Sequence, residues 1–298
     1  KYSIAGPGGQ VFTCRPEYAD VAFAEQLGRN MAPLEVQTIR AESELPTSVR
    51  LLDLLNIQSL DQFDATQEWT QRPPSEYLKV PLGIRRGGQP LILDLSHTGH
   101  GPHGLVGGTT GSGKSELLQT LVVALALTHH PHEVGFVLVD FKGGGAFSTL
   151  RDLPHTLGLV TDLSGGLAER ALVALRSELK RRELLLHQIG VSDIRDYQAL
   201  KASEPLPRLV IIIDEFAQLA MEHPDFMTEL IGVAQKGRSL GVHLILSTQR
   251  PAGAVNPNIW ANAKFRICLR VESREDSQDM LRRPDAWNIP RDVPGRAY

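Results

Sequence analysis

The chain has 298 residues, 42% of them hydrophobic, which fits one large α/β domain with an appendage or two domains. Its 31 basic and 34 acidic residues give a net charge of −3. The bulk charge therefore does not favour binding to nucleic acid or to an anionic membrane, although a local basic patch is compatible with it. No apolar run approaches the roughly 20 residues that a membrane-spanning helix needs, and no signal peptide is visible.

Two features bear on the cellular setting of the chain. Cys14 and Cys268 are far apart and lack the spacing of metal ligands, which indicates a reducing, cytosolic compartment. The chain begins with Lys1 rather than with methionine. We therefore expect a piece of a longer protein, and any membrane anchor would lie outside that piece.

Residues 1–75 are interpreted as an N-terminal extension and residues 76–298 as the main domain. Within the extension, Glu17–Leu27 and Ser48–Leu55 have helical patterns, and the serine that opens the second segment is a candidate N-cap. Paired prolines in Gln67–Pro74 predict a linker. Because no catalytic constellation occurs in this part, we expect a structural role for it.

A hairpin opens the main domain. Leu78–Ile84 and Pro90–Leu95 are strand-like and flank a turn. His97, His100 and His103 follow at intervals of three. The glycines and the proline between them oppose the helix that would align three imidazoles around a metal. We therefore predict a loop that covers the nucleotide pocket formed by the residues that follow.

The stretch from Gly108 to Ser115 reads GTTGSGKS, the pattern G-x-x-x-x-G-K-S. It follows an apolar strand-like pair and precedes a helical pattern over Glu116–Leu127. This is the setting of a phosphate-binding loop, whose glycines let backbone N–H groups approach phosphate oxygens. Lys114 is expected to reach the β- and γ-phosphates, and the Ser115 hydroxyl to ligate Mg²⁺.

Apolar runs alternate with helical patterns through the rest of the chain. The predicted strands are Val134–Asp140, Leu157–Thr161, Leu209–Asp214, Val242–Ser247 and Phe265–Val271. The predicted helices are Leu167–Ile189 and Pro224–Gly237. This alternation predicts a mostly parallel sheet with helices on both faces.

The second decisive motif is the strand that delivers Asp214 and Glu215 at its carboxyl end, where open α/β sheets bind ligands. Asp214 is expected to hold Mg²⁺, directly or through water. Glu215 is expected to polarise the water that attacks the γ-phosphate. Together with the phosphate loop about 100 residues upstream, this pair predicts Mg²⁺-dependent hydrolysis of a nucleoside triphosphate.

Three polar residues have two readings each. Gln249 follows the strand Val242–Ser247 and is placed to sense the γ-phosphate, but it also suits an ordinary polar turn. Arg266 and Arg270 alternate with apolar residues, so they are either functional or simply the solvated side of their strand.

ATPases of this kind often take a cation from a neighbouring subunit to stabilise the charge of the transition state. The helix over Leu167–Ile189 offers several candidates, and residue patterns do not choose among them. The candidates are Arg170, Arg176, Arg181 and Arg182.

Four motifs resemble those of the FtsK/SpoIIIE branch of the additional-strand RecA-like ATPases: TTGSGKSELLQTL, VDFKGGGAF, LVIIIDEF and STQRP. Four segments are similar to the EccC/EssC ATPases of type VII secretion: GPHGLVGGTTGSGKSELL, LPHTLGLVTDL, ERALVALRSELKRRELLL and PGRAY. The resemblance covers residues 45–298 and is specific, because several long motifs occur in order.

The resemblance implies an α/β fold of the RecA-like P-loop type and an ATP hydrolase that uses ATP and Mg²⁺. Proteins of this family are bacterial, membrane-anchored and carry tandem ATPase domains on the cytosolic side. They assemble as hexamers and export small helical proteins. Membrane components of the secretion system are their partners in this export. This chain is accordingly expected to be one cytoplasmic ATPase domain of such a protein.

The resemblance also assigns roles to residues. Lys114 and Ser115 match the phosphate loop, and Asp214 and Glu215 match the Mg²⁺-binding and catalytic acids. Arg170 matches the arginine that acts in trans. Gln249 matches the polar residue after the fourth strand, and the loop Lys142–Phe147 is expected to face a partner subunit or a central pore. The implied nucleotide-binding residues are Gly108, Thr109, Thr110, Gly111, Ser112, Gly113, Lys114, Ser115 and Glu116.

Two other functions are compatible with these motifs. A DNA translocase of the same superfamily shares every ATPase motif, but DNA pumps need a basic lining and often a DNA-reading domain. The net acidic charge and the absence of such a reader in the sequence make DNA binding the weaker alternative. A docking module that binds secretion signals without hydrolysis is opposed by the intact Lys114 and Glu215.

Overall fold

In a computed structural model, the structure describes residues 2–5, 11–14, 22, 45–73, 76–140, 145–161, 166–200, 204–251 and 261–298. The chain divides into two compact units, Lys1–Glu44 and Leu45–Tyr298. The first unit contains an antiparallel pair, β1 (Tyr2–Ala5) and β2 (Val11–Cys14). The helix predicted over Glu17–Leu27 lies outside the described residues except for Ala22.

The second unit contains the sheet, the hairpin and the helices of the main fold. Its strands are β3 (Lys79–Ile84), β4 (Pro90–Asp94), β5 (His103–Gly107), β6 (Val134–Asp140), β7 (Thr156–Val160), β8 (Arg208–Asp214), β9 (Val242–Thr248) and β10 (Ala263–Cys268). Its α-helices are α1 (Leu51–Leu54), α2 (Ala65–Gln71), α3 (Lys114–Thr128), α4 (Leu167–Ile189), α5 (Ile194–Ala199), α6 (Phe216–Glu222), α7 (Pro224–Leu240) and α8 (Arg274–Leu281). Short 3₁₀ turns occupy Leu60–Gln62 and Ser148–Leu150.

Six strands form one sheet in the order β10-β5-β9-β8-β6-β7, and every neighbouring pair is parallel. Because all six strands run the same way, their carboxyl ends meet at one edge of the sheet. β8 and β9 lie in its middle and are buried along their whole length, which explains why both are continuous apolar runs. The predicted parallel α/β fold is therefore confirmed.

The residues of β8 divide alternately between two cores, one on each face of the sheet. Leu209, Ile211 and Ile213 belong to the core that includes α4, α6 and α7. Val210 and Ile212 belong to the core that includes α3 and the β3–β4 hairpin. Because both faces of the strand are covered, every side chain of β8 is buried. Each Å² of apolar area removed from water stabilises the fold by about 25 cal/mol.

The segment before the hairpin is part of the same unit as the sheet. The interpretation of Gln67–Pro74 as a linker is wrong for residues 67–71, since α2 occupies them with Asp64 as its N-cap. Trp69 Nε1 donates to the carbonyl of Ala126 at 3.0 Å and so fastens α2 to α3. Contacts divide the chain after Glu44, whereas the sequence predicted a boundary after residue 75, because the prolines concealed this packing.

The hairpin and the first helix lie at the start of this unit, and both were predicted from the sequence. The predicted β-hairpin is confirmed, with Val80 paired to Leu93. The predicted capping of the first helix by Ser48 is wrong, because the N-cap position of α1 is Arg50 and no side chain caps it. Among the helices of the described part of the chain, none is long and apolar enough to cross a membrane.

Candidate functional site

The loop between β5 and α3 has the backbone that the glycine pattern predicted. Gly111 and Gly113 have φ angles of 76° and 95°, which side chains with a Cβ rarely adopt. A Cβ on Gly108 would lie 2.6 Å from Ser112 Oγ, and one on Gly113 would lie 2.8 Å from the amide nitrogen of Gly295. At Gly113 the clash is with backbone, so a larger residue there would distort the loop, whereas at Gly108 the Ser112 side chain would have to move.

The loop also has donors that suit an anion. Within the described chain, the backbone N–H groups of Gly111 and Gly113 have no acceptor. They lie immediately before the N-terminus of the 15-residue helix α3, where the helix dipole favours negative charge. The loop therefore fits the phosphate groups that the sequence predicted for it.

A cation, a carboxylate and a hydroxyl meet beside the loop. Lys114 is the first residue of α3 and is only 5% exposed. Its Nζ pairs closely with Asp214 Oδ1 and donates to Ser247 Oγ at 3.1 Å. Ser247 Oγ in turn donates to Asp214 Oδ1 at 2.6 Å. The buried ammonium is thus both paired and hydrogen-bonded, as a buried charge requires.

The register of the sheet explains this meeting. Ile213 of β8 is paired with Leu246 of β9, so the next residues, Asp214 and Ser247, lie side by side at the carboxyl edge. Val106 of β5 is paired with Ser247 on the other side, which places the phosphate loop next to them. Three segments that are distant in sequence therefore converge because their strands are adjacent.

Glu215 directly follows β8 in a left-handed conformation, with φ 59° and ψ 50°. Such a conformation is uncommon for a residue with a side chain and often marks a functional site. Its side chain is buried, and Oε1 accepts from Thr248 Oγ1 at 3.1 Å and from the backbone N–H of Gln249 at 3.3 Å. The end of β9 therefore fixes the direction of this carboxylate.

Two residues of this site were not predicted from the sequence. Ser247 and Thr248 were noted only as the end of a strand, whereas their hydroxyls contact Asp214 and Glu215 respectively. A usable signal was present, since both hydroxyls stand at the carboxyl end of a strand predicted to lie in the same parallel sheet.

Gln249 lies beside the loop, where it was expected. Its Oε1 accepts from Thr110 Oγ1 at 3.1 Å, so it joins the end of β9 to the phosphate loop. Its role as a sensor remains a prediction.

A second link to the loop involves Glu272, which sequence reasoning did not identify. Its Oε1 accepts from Thr109 Oγ1 at 3.1 Å and from Arg270 Nη2 at 2.9 Å. The hydrogen bonds from Arg270 and then Thr109 lower the pKa of the Glu272 carboxyl. Arg270 therefore belongs to the surroundings of the site rather than to a merely solvated strand face, whereas Arg266 donates to the carbonyl of Met280.

Ser115 and Glu116 occupy the first turn of α3. Ser115 is half-buried and Glu116 is exposed. Hydroxyl and carboxylate oxygens are the ligands that Mg²⁺ prefers, and Ser115 and Asp214 supply one of each at this end of the sheet. The donor set therefore fits the predicted ion.

Arg170 differs from the other arginines of α4 in its ion pairing. Arg176 pairs with Glu229 at 2.6 Å, and Arg181 and Arg182 both pair with Glu178. Arg170 is exposed in the first turn of the helix, and its side chain has no ion pair or hydrogen bond to any other described residue. Within those parts of the chain nothing bonds it to the phosphate loop, so the structure shows no link between Arg170 and the site of its own subunit.

The histidine-containing loop lies elsewhere. Because it precedes β5 while the phosphate loop follows β5, it is at the opposite edge of the sheet, where Lys264 Nζ donates to the His97 carbonyl at 2.9 Å. The prediction that it covers the nucleotide pocket is wrong. His103 is structural, since its ring bonds to the Ala234 carbonyl and to the N–H of Leu244. The described residues contain no cluster of metal-ligating side chains.

Comparison with known proteins agrees with this geometry. The model of the FtsK/SpoIIIE family matches residues 60–253. The chain belongs to this family. Type VII secretion system protein EssC of Staphylococcus aureus is 45% identical over 287 residues, which is 95% of this chain and 19% of EssC. The chain therefore spans about a fifth of the length of that relative.

Solved structures give the same result. The cytoplasmic domain of the Thermomonospora curvata type VII secretion ATPase EccC superposes with a TM-score of 0.80 and is 39% identical, over 84% of this chain and 30% of the EccC chain. Its ATPases 2 and 3, solved in complex with a signal sequence peptide, give a TM-score of 0.67 at 27% identity, over 74% of this chain and 40% of that one. The expected resemblance to EccC and EssC and the expected P-loop ATPase fold are confirmed.

Proposed function

We propose that this domain binds ATP with Mg²⁺ and hydrolyses ATP to drive protein export in a type VII secretion system. The observation that carries the proposal is the meeting of Lys114, Asp214 and Glu215 beside the phosphate loop. A cation for phosphate, a metal-binding acid and a candidate general base are the groups that nucleotide hydrolysis requires.

In this proposal the phosphate loop holds the β- and γ-phosphates. The Lys114 ammonium would leave Asp214 and pair with phosphate oxygens instead. The Asp214 carboxylate would then be available to the metal. Ser115 and Asp214 would hold Mg²⁺, and the ion when bound would neutralise phosphate charge that develops in the transition state. Ser247 would keep Asp214 in place during this exchange, because it bonds to the same oxygen, Oδ1.

Glu215 would act as the general base that orients the attacking water. One of its oxygens is held by Thr248 and by the Gln249 amide, so the carboxylate has a defined direction when a nucleotide enters. Gln249 also bonds to Thr110. Loss of the γ-phosphate next to the loop would therefore be transmitted to the strand end that holds the base.

Arg170 would complete the site of a neighbouring subunit in a homo-oligomer, which we expect to be a hexamer. Its exposure and its lack of an ion pair within the described chain support this role. A cation supplied in trans stabilises the charge of the transition state and couples hydrolysis to assembly.

The wider function is proposed from the relatives. We place the domain on the cytosolic side of a membrane-anchored bacterial protein that has further ATPase domains. Its partners would be small helical secreted proteins and membrane components of the secretion machine. The EccC complex with a signal sequence peptide supports recognition of the exported protein by domains of this family.

Substitution of the two charged groups tests hydrolysis directly. Lys114→Ala should lower ATP turnover by at least about 100-fold, as loss of one key electrostatic contact does, and it should weaken ATP binding. Glu215→Gln should lower turnover by about 10²- to 10⁴-fold, the range for a general base, while ATP binding persists. Steady-state phosphate release and a fluorescent ATP analogue measure the two quantities.

Lys236→Ala and Glu183→Gln are matched controls, because both residues are exposed and their side chains form a long ion pair with each other and no other ion pair with a described residue. Wild-type turnover in Glu215→Gln would overturn the proposed mechanism. An absence of turnover in the wild-type assembly, with intact binding of a signal peptide, would instead favour a docking module.

A further inference from the structure

A cavity of about 940 Å³ lies at the edge of the sheet opposite to the phosphate loop. Arg208, Tyr77 and Gln198 contribute to its wall, with Arg195 also among the lining residues. Arg208 is the first residue of β8, so it stands at the amino end of the strand whose carboxyl end presents Asp214. This cavity is therefore distinct from the nucleotide site.

Arg208 is a buried cation. The Asp193 carboxylate lies within range of its charge but pairs with Arg195 at 3.0 Å. Arg208 is 6% exposed, and its Nε–H has no hydrogen-bond partner among the residues that the structure describes. Within the described chain no carboxylate forms an ion pair with it. Its guanidinium carbon lies 5.3 Å from the centroid of the Tyr77 ring, a contact that orients the group but does not neutralise it. A buried cation in this state is costly unless an anion joins it.

A second buried arginine strengthens the positive field. Arg182 of α4 is completely buried, and its Nη2 also lacks a hydrogen-bond partner in the described part of the chain. Its Nη1 donates to the carbonyl of Leu240 at 3.0 Å, just before β9 begins. Burial lowers the pKa of Arg182, Glu178 opposes this effect, and the charges of Arg181 and Arg208 add to it. Two guanidinium groups therefore act on the same region.

The acids in the cavity wall already have partners. Asp94 Oδ1 accepts from the Ser96 N–H at 2.8 Å, and Glu133 Oε2 accepts from the His130 N–H at 3.1 Å. Glu204 Oε1 accepts from Arg181 at 2.8 Å. These carboxylates do not pair with Arg208, but their charges would repel a dianion such as phosphate. A singly charged ligand suits the cavity better.

We propose that this cavity binds a carboxylate group, with Arg208 as its principal donor. The planar fork of a guanidinium matches a carboxylate with two parallel hydrogen bonds, and stacking on Tyr77 holds the fork in one orientation. The carboxylate is either that of a small molecule or the side chain of an acidic residue in a protein segment.

Nuclear magnetic resonance of the arginine Nε–H groups tests the proposal. The full chain would carry Lys114→Ala, which weakens the phosphate loop as a competing anion site, and would be labelled with ¹⁵N-arginine. Acetate would be titrated against sodium chloride at equal ionic strength, which removes general screening. We expect a saturable shift of the Arg208 signal with acetate only, and loss of that signal in Arg208→Lys identifies it.

A blocked Gly-Glu-Gly peptide, whose only carboxylate is the glutamate side chain, forms the second arm. Binding at least about ten-fold tighter than that of acetate assigns the site to a protein segment, and equal binding assigns it to a small carboxylate. Arg208→Lys keeps the positive charge but not the planar guanidinium, so it should weaken the binding of either ligand by at least about ten-fold. The rise in melting temperature that each ligand causes measures its binding in the variant.

Arg85→Met, in the exposed turn of the hairpin, serves as the control and should leave binding unchanged. Arg208→Met should fold with an undiminished melting temperature in the absence of ligand, because it removes an uncompensated buried charge. No response to either carboxylate, an equal response to chloride, or a strongly destabilised Arg208→Met would overturn the proposal and make Arg208 a structural residue.

Discussion

Ser247 Oγ lies within hydrogen-bond distance of both Lys114 Nζ and Asp214 Oδ1. The hydroxyl accepts from the ammonium and donates to the carboxylate, so it bonds to both members of an ion pair that must separate when a nucleotide binds. A residue in this position influences the geometry of the site without contacting phosphate itself. Thr248 Oγ1 likewise donates to a carboxylate of the site, Glu215 Oε1.

We predict that Ser247→Ala lowers ATP turnover by about ten-fold or more, because a hydrogen bond to a charged group contributes about 1.5–3 kcal/mol. The fold should persist, since Lys114 and Asp214 still pair with each other. Steady-state kinetics measures the effect. Ser239→Ala provides the control, because the Ser239 hydroxyl donates to the Lys236 carbonyl within α7 and not to a residue of the site. Equal kinetics in the two variants would contradict the role of Ser247.

At the level of elements, α4 has two kinds of arginine. Arg176, Arg181 and Arg182 are committed to ion pairs that join the helix to α7 and to itself. Arg170 is exposed in the first turn, with no such commitment in the described chain. Among the arginines of this helix, Arg170 is therefore the one that the described residues leave without an ion pair, and the ion pairs keep the other three in place.

Mixing two inactive variants tests this arrangement. Arg170→Ala retains the phosphate loop and Lys114→Ala retains the arginine, so an equal mixture should regain turnover at about one quarter of the interfaces if the arginine acts in trans. Specific activity of the wild type should also rise steeply with protein concentration. Full turnover of Arg170→Ala alone, measured by phosphate release, would contradict the role in trans.

At the level of the whole molecule, buried neutral histidines make stability depend on pH. Burial lowers the pKa of His103 to about 4 and that of His129 to about 3, and each ring bonds to backbone groups. The unfolded chain binds protons below pH 6.5, whereas the folded chain does not until these lower values. Stability is therefore complete above pH 6.5 and is lost as the pH falls.

We predict a loss of about 2 kcal/mol in the free energy of unfolding for each of these histidines between pH 7.5 and pH 5. Urea unfolding at several pH values measures it, above the range in which most carboxylates titrate. His187→Gln, at an exposed position of α4, should leave the pH dependence unchanged. A flat free energy between pH 7.5 and pH 5 would contradict the assignment of buried neutral rings.

The charge of the whole chain leads to a prediction about DNA. With a net charge of −3, the domain lacks the excess of cations that gives strong, salt-sensitive binding to duplex DNA. Duplex DNA should therefore neither raise ATP turnover nor bind at physiological salt in a fluorescence anisotropy assay. Tight binding that weakens steeply with added salt would favour a DNA translocase over a protein exporter.

Residue order by itself determined the parallel α/β fold, the phosphate loop and the acids Asp214 and Glu215. These features are local: glycines that permit positive φ angles, apolar runs that must be buried on both faces, and charged residues at strand ends. A contiguous motif records such constraints directly. The proline pair was equally local but misleading, since it concealed a helix that packs against α3 through Trp69.

Tertiary structure alone decided which distant residues meet. The strand order β5-β9-β8 brings Ser247 and Thr248 to the two acids, and the direction of β5 puts the histidine loop at the other edge. It also showed that Arg170, unlike the other arginines of α4, has no ion pair with a described residue. Among the described residues it left the Nε–H of the buried Arg208 without an acceptor. These relations depend on register and on packing between segments far apart in the chain, and neither is written in any single stretch of sequence.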